Sequence, residues 1–197
     1  MTAPTLPRSV EHLAADHAAG RPHPLLLFWG HRASPDGGIA KSCLSNWWPA
    51  PFRLDGHDWP TVEHYMMHAK ATLFGDAERA AAIRAAPSPK AAKALGRKVR
   101  PYGDLSWAAH RYDAVRRACV AKFGQDRELR AFLLGTAPKI LVEASPHDRV
   151  WGIGLRESAP EAHDPTRWRG ANLLGFALVD AREELAAALA DELAAAT

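Results

Sequence analysis

The chain has 197 residues, of which 47% are hydrophobic, so it is long enough to bury one well-formed core and shows no second zone of composition. Its net charge of +3 and its pI near 9.0 are compatible with a phosphorylated ligand but too weakly basic for a dedicated nucleic-acid binder. Two cysteines are too few for a disulfide framework, and the lack of a signal peptide or of an apolar run of about 18 residues predicts a cytoplasmic protein without a membrane partner.

The N-terminal part of the chain is predicted to be an extension, residues 1–24, followed by one domain, residues 25–190. Within the extension, Ser9 is a suitable N-cap for a short helix that reaches about residue 19 and ends at Gly20. Two interpretations of this segment stay open, a loosely docked extension or a disordered leader.

The domain begins with a predicted buried strand, residues 25–29, and a loop over residues 30–38 that leads to a cluster of aromatic and polar residues. Asn46, Trp47 and Trp48 form this cluster. Tryptophan beside asparagine in a loop is suited to hold a ring or a base, and the alternative is that both tryptophans anchor the loop on the core.

A helix start with a carboxylate in its first turn follows. Asp55-Gly56 predicts a two-residue hairpin turn, and Thr61 is the natural N-cap of the next helix. Glu63 then lies where free backbone N–H groups and the helix dipole favour a charged carboxylate, so we expect Glu63 to be ionised. Helical spacing places Lys70 on the same face as Glu63, although an ordinary amphipathic helix with a solvated lysine has the same spacing.

His64 and His68 have the four-residue spacing of helical zinc ligands. The intervening glutamate of a zinc protease and a third ligand are both missing, so we expect no catalytic metal. Nothing else in the sequence predicts a cofactor, and no serine or cysteine lies in a nucleophile-elbow pattern.

The middle of the chain predicts helices over residues 77–86, 89–96, 106–123 and 125–134, from their caps and apolar stripes. Arg97 follows the second of these helices and begins a basic cluster. That cluster either contacts a phosphate or is a solvated turn.

Polar residues also follow a predicted strand, residues 140–144, which leads to Asp148. Gly152 and Gly154 in the next loop let backbone amides approach a ligand, or simply form a tight turn. Asn172 is predicted to open the last helix, and the free N-terminus of that helix would be an anion site.

Length, periodicity and capping together predict a mainly α fold. We expect one compact helical domain of about seven helices with a few short strands, including one hairpin, and α+β is the alternative. Helices alternating with the strands of a parallel sheet do not fit this pattern.

Several short motifs occur in a specific order along the chain. They are Leu44-Ser45-Asn46-Trp47-Trp48-Pro49, Trp59-Pro60-Thr61-Val62-Glu63-His64-Tyr65, Ala94-Leu95-Gly96-Arg97, Leu141-Val142-Glu143-Ala144-Ser145, Trp151-Gly152-Ile153-Gly154 and Gly170-Ala171-Asn172-Leu173-Leu174-Gly175. Together with shorter matches they cover about residues 25–187 and resemble the NADAR family, also called YbiA-like.

The resemblance implies an N-glycosidase. Members of the family hydrolyse the bond between ribose C1 and an amine nitrogen, in phosphorylated intermediates of riboflavin synthesis or in ADP-ribosylated guanine, free or within nucleic acid. By resemblance, Glu63, Lys70 and Asp148 are expected to be catalytic. Substrate contacts are expected from Asn46, Trp47, Trp48, His64, Arg97, Trp107, Trp151, Gly152, Gly154 and Asn172.

Two alternatives stay open at this point. Glu63 either helps a water molecule to attack C1, or Lys70 displaces the amine and holds the ribose as a Schiff base, for which a close ion pair with Glu63 would be an obstacle. The rival functional class is a non-catalytic module that binds ADP-ribose or NAD.

Overall fold

The computed structural model describes residues 6–32 and 38–195, so part of the predicted loop 30–38 and the first five residues of the extension lie outside it. The helices of the described residues are α1 Val10–Ala18, α2 Val62–Leu73, α3 Ala77–Arg84, α4 Pro89–Gly96, α5 Asp104–Gln125, α6 Arg127–Leu134 and α7 Leu173–Ala195. The strands are β1 Leu25–Phe28, β2 Phe52–Leu54, β3 His57–Trp59 and β4 Ile140–Glu143. The predicted mainly α fold is confirmed. Within the described ranges, no helix is both long and apolar enough to cross a membrane.

The hairpin and the start of α2 follow the local sequence chemistry. β2 and β3 pair antiparallel, and Asp55 and Gly56 both have positive φ, 50° and 77°, as a two-residue turn of this hand requires. Thr61 is extended and its side chain accepts a hydrogen bond from the N–H of His64. The predicted turn and N-cap are therefore confirmed, and they fix where Glu63 enters the helix.

β1 and β4 form a parallel pair in which Phe28 lies opposite Glu143. The chain between them contains α2 to α6, and the two strand sequences carry no information about which strand is the partner. For that reason the pairing was not predicted. Because the strands are parallel, their carboxyl ends lie together, where ligands of such sheets commonly bind.

Side chains of β4 alternate between two hydrophobic clusters. Ile140 and Val142 belong to the smaller cluster with Phe176, whereas Leu141 belongs to the larger cluster, which includes α2 and α5. Glu143 lies two residues beyond Leu141, so its side chain leaves the strand on the side of the larger cluster.

The described part of the N-terminal extension packs on the domain. Leu13 of α1 is 1% exposed in the smaller cluster, and Arg8 forms ion pairs with Asp180 and Glu183 of α7. Residues 6–24 are therefore docked, which is the first of the two interpretations of this segment.

Helix α7 approaches β4 most closely at Gly175, where a methyl group would lie 2.0 Å from the carbonyl oxygen of Leu141 and 2.5 Å from Nδ2 of Asn172. We therefore expect Gly175→Ala to lower the free energy of unfolding by ~2 kcal/mol or more, because the added carbon meets backbone. Gly103→Ala is the control, since the nearest atoms there are 3.8 Å away, and it should change stability by less than ~0.5 kcal/mol. Urea unfolding curves of both variants test this; equal stability of the two would contradict the close approach.

Candidate functional site

The first turn of α2 holds a buried carboxylate. Glu63 is 2% exposed, and its backbone N–H donates to the carbonyl oxygen of Asn46 at 3.0 Å. Its Oε1 is buried and has no hydrogen-bond partner among the described residues. Since a buried oxygen without a partner is costly, Oε1 is the part of this carboxylate that is available to a ligand.

The loop before α2 is fastened to α5 by a buried lysine. Lys122 is 1% exposed, and its Nζ donates to the carbonyl oxygens of Cys43, at 2.5 Å, and Ser45, at 3.1 Å. Burial lowers the pKa of this amine to about 8. The clamp holds Asn46 beside Glu63, and the Oδ1 of Asn46 is also buried without a partner among the described residues.

Trp47 and Trp48 have different environments. Trp47 is half-buried and hydrogen-bonds the carboxylate of Glu63, and the Nζ of Lys93 lies 5.8 Å from the centre of its ring. Trp48 packs against the larger hydrophobic cluster. Trp47 therefore belongs to the candidate site, whereas Trp48 anchors the loop, as the alternative interpretation held.

Helix α4 brings two cations towards Glu63. Lys93 and Arg97 lie four residues apart, and both act electrostatically on the Glu63 carboxylate. The helix can approach α2 because it has a glycine at the contact: a methyl group on Gly96 would lie 2.2 Å from the Sδ of Met67. Arg97 was predicted from the sequence, and Lys93 was not, because it occupies an ordinary position inside a helix.

A second buried glutamate completes the cluster at the end of β4. Glu143 as a residue is only partly buried, but its Oε2 is buried without a partner in the described part of the chain. Its electrostatic neighbours are Asp148, Lys93 and Glu63. Sequence reasoning missed Glu143 as a site residue; the one signal was a charged residue at the end of an apolar strand.

Burial governs the protonation of Glu63. Removal from water raises its pKa from 4.5 to about 7. Lys93, the hydrogen bond from Trp47, and Arg97 lower the pKa, and the negative charge of Asp148 raises it further. A carboxyl group with this pKa is protonated in a large fraction of molecules at neutral pH. Burial therefore acts against the helix dipole, which favours the charged form, and it brings the pKa of Glu63 into the neutral range.

Glu143 shows the same effect more strongly. Burial raises its pKa from 4.5 to about 8, with a further rise from the negative charge of Asp148, a lowering by Lys93 and a smaller rise from Glu63. The two glutamates thus interact, and burial favours the protonated form of each.

The loop after β4 is organised by Asp148, whose Oδ1 accepts hydrogen bonds from the N–H groups of Val150 and Trp151 at 2.9 and 2.8 Å. The N–H of Gly154 donates to the backbone oxygen of Asp148. At Gly152 a methyl group would lie 2.7 Å from the carbonyl oxygen of Glu143. These glycines therefore serve a tight turn against the end of β4, and Trp151 packs partly buried on the larger cluster.

Two predicted ligand residues are fully used by the fold. The Nδ1 of His64 pairs with Thr61 at 2.8 Å and its Nε2 with the carbonyl oxygen of Ala86 at 3.1 Å. Asn172 is 0% exposed; its Oδ1 accepts from the N–H of Glu143 and its Nδ2 donates to the oxygen of Leu141. The structure does not support substrate contacts from either side chain.

The predicted anion site at the start of α7 is also occupied. The N–H groups of Leu173 and Leu174 donate to the carbonyl oxygens of Val150 and Trp151. The prediction of a free helix N-terminus is therefore wrong, because the loop after β4 folds over it and uses its donors.

Lys70 and Trp107 lie apart from the glutamate pair. The Nζ of Lys70 lies 4.0 Å from the centre of the Tyr102 ring. Burial lowers the pKa of Lys70; the negative charge of Asp104 opposes this shift and the positive charge of Arg100 adds to it. The charged groups that act on Glu63 are Lys93, Asp148 and Arg97, so Glu63 and Lys70 do not form an ion pair. Trp107 lines a cavity of about 390 Å³ with Tyr65, His68 and Thr72, which lie on the opposite face of α2 from Glu63.

The site therefore combines Glu63, Glu143, Asp148, Lys93, Arg97, Asn46 and Trp47. Two carboxyl groups with raised pKa values can exchange protons near neutral pH, an indole ring can contact a base, and two cations can face phosphate. Among the described residues, no group of three His, Cys, Asp or Glu side chains is arranged to hold a metal ion.

Comparison with known proteins gives a consistent match. The family model described as NADAR domain matches residues 27–186. An N-glycosidase of Acanthamoeba polyphaga mimivirus is 39% identical over 146 residues, 72% of this chain and 86% of that protein. N-glycosidase YbiA of Escherichia coli (strain K12) is 38% identical over 143 residues, 73% of this chain and 81% of that protein. The NMR structure of E. coli YbiA matches with a TM-score of 0.64 and 33% identity, over 83% of this chain and 86% of that one.

The raised pKa values of Glu63 and Glu143 predict an unusual pH dependence of stability. In the unfolded chain both groups ionise near 4.5, whereas in the folded protein they keep their protons up to about 7 and about 8. Their contribution to stability is therefore complete below pH 4.5 and is lost as the pH rises through 7 and 8. We expect the free energy of unfolding of the wild type, relative to Glu63→Gln/Glu143→Gln, to fall by ~1 kcal/mol or more between pH 5 and pH 9.

Urea unfolding at a series of pH values measures this difference. The exposed Glu78 supplies the control, because Glu78→Gln should leave the wild-type pH dependence unchanged. Parallel curves for the wild type and the double variant would show that the two glutamates are not desolvated as the structure has them.

Proposed function

The chain belongs to the NADAR domain family, and we propose that it hydrolyses the bond between ribose C1 and an exocyclic amine nitrogen of a base. Its relatives are N-glycosidases, and the chain is an enzyme of that class. The substrates that we propose are ADP-ribosylated guanine, free or in nucleic acid, and phosphoribosylated aminopyrimidines, which share this bond.

The observation that carries the proposal is the carboxylate of Glu63, buried at the start of α2 with no partner for Oε1 within residues 6–32 and 38–195. Cleavage of a glycosidic bond places positive charge on C1, and a carboxylate beside C1 stabilises that charge in the transition state. The positive charge that develops on C1 compensates the buried carboxylate for the water it has lost. Glu63 therefore stabilises the transition state more than the ground state.

The other groups of the site suit the remaining parts of such a substrate. The half-buried indole of Trp47 offers a face to a planar base, and the neighbouring Asn46 has an Oδ1 without a partner in the described part of the chain. Lys93 and Arg97 supply positive charge for a phosphate. Asp148 acts through charge, since its Oδ1 is already bonded to two backbone N–H groups.

The proposal predicts that Glu63→Gln loses at least about a hundredfold in rate while substrate affinity changes little, because the lost charge matters chiefly in the transition state. The wild type and the variant are incubated separately with an ADP-ribosylated guanine oligonucleotide and with a phosphoribosylated aminopyrimidine. Mass spectrometry measures the released base, and titration calorimetry with the slow variant measures affinity. Glu78→Gln should keep the wild-type rate.

The outcomes separate the candidate functions. Release of base from one substrate alone identifies the substrate class. A near-normal rate for Glu63→Gln would remove Glu63 from the mechanism. Tight binding by the wild type with no release from either compound would instead indicate a module that only binds ADP-ribose.

We propose that Lys70 is the nucleophile that attacks C1. This lysine lies on the same helix face as Glu63, about 10 Å further along the axis by helix geometry. Burial lowers its pKa and no ion pair with Glu63 holds its proton, so the obstacle raised by the sequence is removed. To reach C1, the side chain has to leave the Tyr102 ring and the nearby negative charge of Asp104.

Borohydride added during turnover should therefore fix a sugar-sized mass on the peptide that carries Lys70. Lys70→Arg should show no adduct, and the exposed Lys98 gives the matched control, because Lys98→Arg should be labelled like the wild type. Turnover without any adduct would assign the attack on C1 to water and leave Lys70 an electrostatic role. An adduct on Lys93 would place the nucleophile on α4.

A further inference from the structure

We propose that Glu143 is the general acid of this site and protonates the amine nitrogen that leaves ribose C1. The inference rests on the proposed N-glycosidase function and assigns a step that Glu63 and Lys70 leave open. A departing amine is a poor leaving group unless its nitrogen gains a proton as the bond breaks, so the reaction needs a donor besides the carboxylate that stabilises C1.

The position of Glu143 is fixed from several sides. Its N–H donates to Oδ1 of Asn172 at 3.0 Å, and its carbonyl oxygen accepts from the N–H of Ile153 at 2.9 Å. Gly152 lies against the same carbonyl oxygen, since a methyl group at this position would be only 2.7 Å from it. The backbone of this strand end is thus held rigidly by α7 and by the following loop, which a catalytic group requires.

Its side chain, in contrast, is not used by the fold. Oε2 is buried and has no hydrogen-bond partner among the described residues, as is also true of Oε1 of Glu63. Two buried carboxyl oxygens without partners in one cluster are costly to folding, and such groups are expected at a reaction centre.

The charged groups that face Glu143 influence whether its carboxyl group is protonated. Glu63 comes from α2, Lys93 from α4 and Asp148 from the loop after β4. Burial and the two negative charges raise the pKa of Glu143 to about 8, against about 7 for Glu63, and Lys93 only partly compensates. Glu143 thus faces two carboxylates and one cation, whereas Glu63 faces Asp148 and two cations, Lys93 and Arg97. These charges favour the acid form of Glu143 and the charged form of Glu63, which is the arrangement of an acid and a base.

The bond from C1 to the amine nitrogen breaks, its electron pair stays on nitrogen, and the nitrogen takes the carboxyl proton of Glu143. Over the whole reaction one water molecule is consumed: its hydroxyl group ends on C1, directly or by hydrolysis of a lysine adduct, and its remaining proton returns to Glu143 through Glu63.

The test varies the leaving group. For a phosphoribosylated aminopyrimidine, Glu143→Gln should lose at least about a hundredfold in kcat/KM at pH 7. For 4-nitrophenyl ribofuranoside 5-phosphate, whose nitrophenolate leaves without a proton, the same variant should lose less than about fivefold. Glu63→Gln should lose activity on both substrates, because it acts on C1.

The wild type alone gives a second measurement that does not depend on the variant folding. Its kcat/KM for the aminopyrimidine should fall on the alkaline side as the acid of the pair ionises, and the nitrophenyl substrate should not show this fall. Equal losses of Glu143→Gln on the two substrates, or identical alkaline limbs, would overturn the role of Glu143 and leave the N-glycosidase function intact. Wild-type protein that cleaves neither compound and also releases no base from ADP-ribosylated guanine would overturn both.

Discussion

Loss of water around two carboxyl groups is the constraint on which the site depends. Glu63 and Glu143 come from distant parts of the chain, and each keeps one buried oxygen without a partner among the described residues. A well-packed fold normally avoids such oxygens, because each costs about 1–3 kcal/mol relative to a satisfied group. Both oxygens lie in one cluster with Lys93 and Asp148, so the folding free energy of the rest of the chain has to offset their cost.

The rest of the fold is organised to hold these two groups in place. The buried ammonium of Lys122 ties the loop that carries Asn46, and that loop accepts the N–H of Glu63. On the other side, Gly175 lets α7 approach β4 closely, and the Oδ1 of Asn172 accepts a hydrogen bond from the N–H of Glu143. Two independent sets of backbone contacts therefore set the position of each carboxyl group, one through α5 and one through α7.

Local chemistry was predictable from the sequence, and long-range placement was not. Asp55-Gly56 and Thr61 predicted the hairpin and the start of α2, and both have the predicted geometry. The pairing of β1 with β4 left no local trace, so Glu143 could not be placed beside Glu63. The raised pKa of Glu63 was not predicted for the same reason: the helix dipole is a local property, whereas burial is a property of the whole fold.

Hydrogen-bond satisfaction separates site residues from those that only resemble them. His64 and Asn172 are buried polar residues close to Glu63 and Glu143 in sequence or space, yet each side chain has its polar atoms paired within the fold. The Oδ1 of Asn46, the Oε1 of Glu63 and the Oε2 of Glu143 are also buried, but they lack such partners among the described residues. A family motif does not distinguish these two groups, because loss of either kind of residue damages the site. The distinction is physical: paired polar groups hold the structure in place, and unpaired ones are free to bind and react.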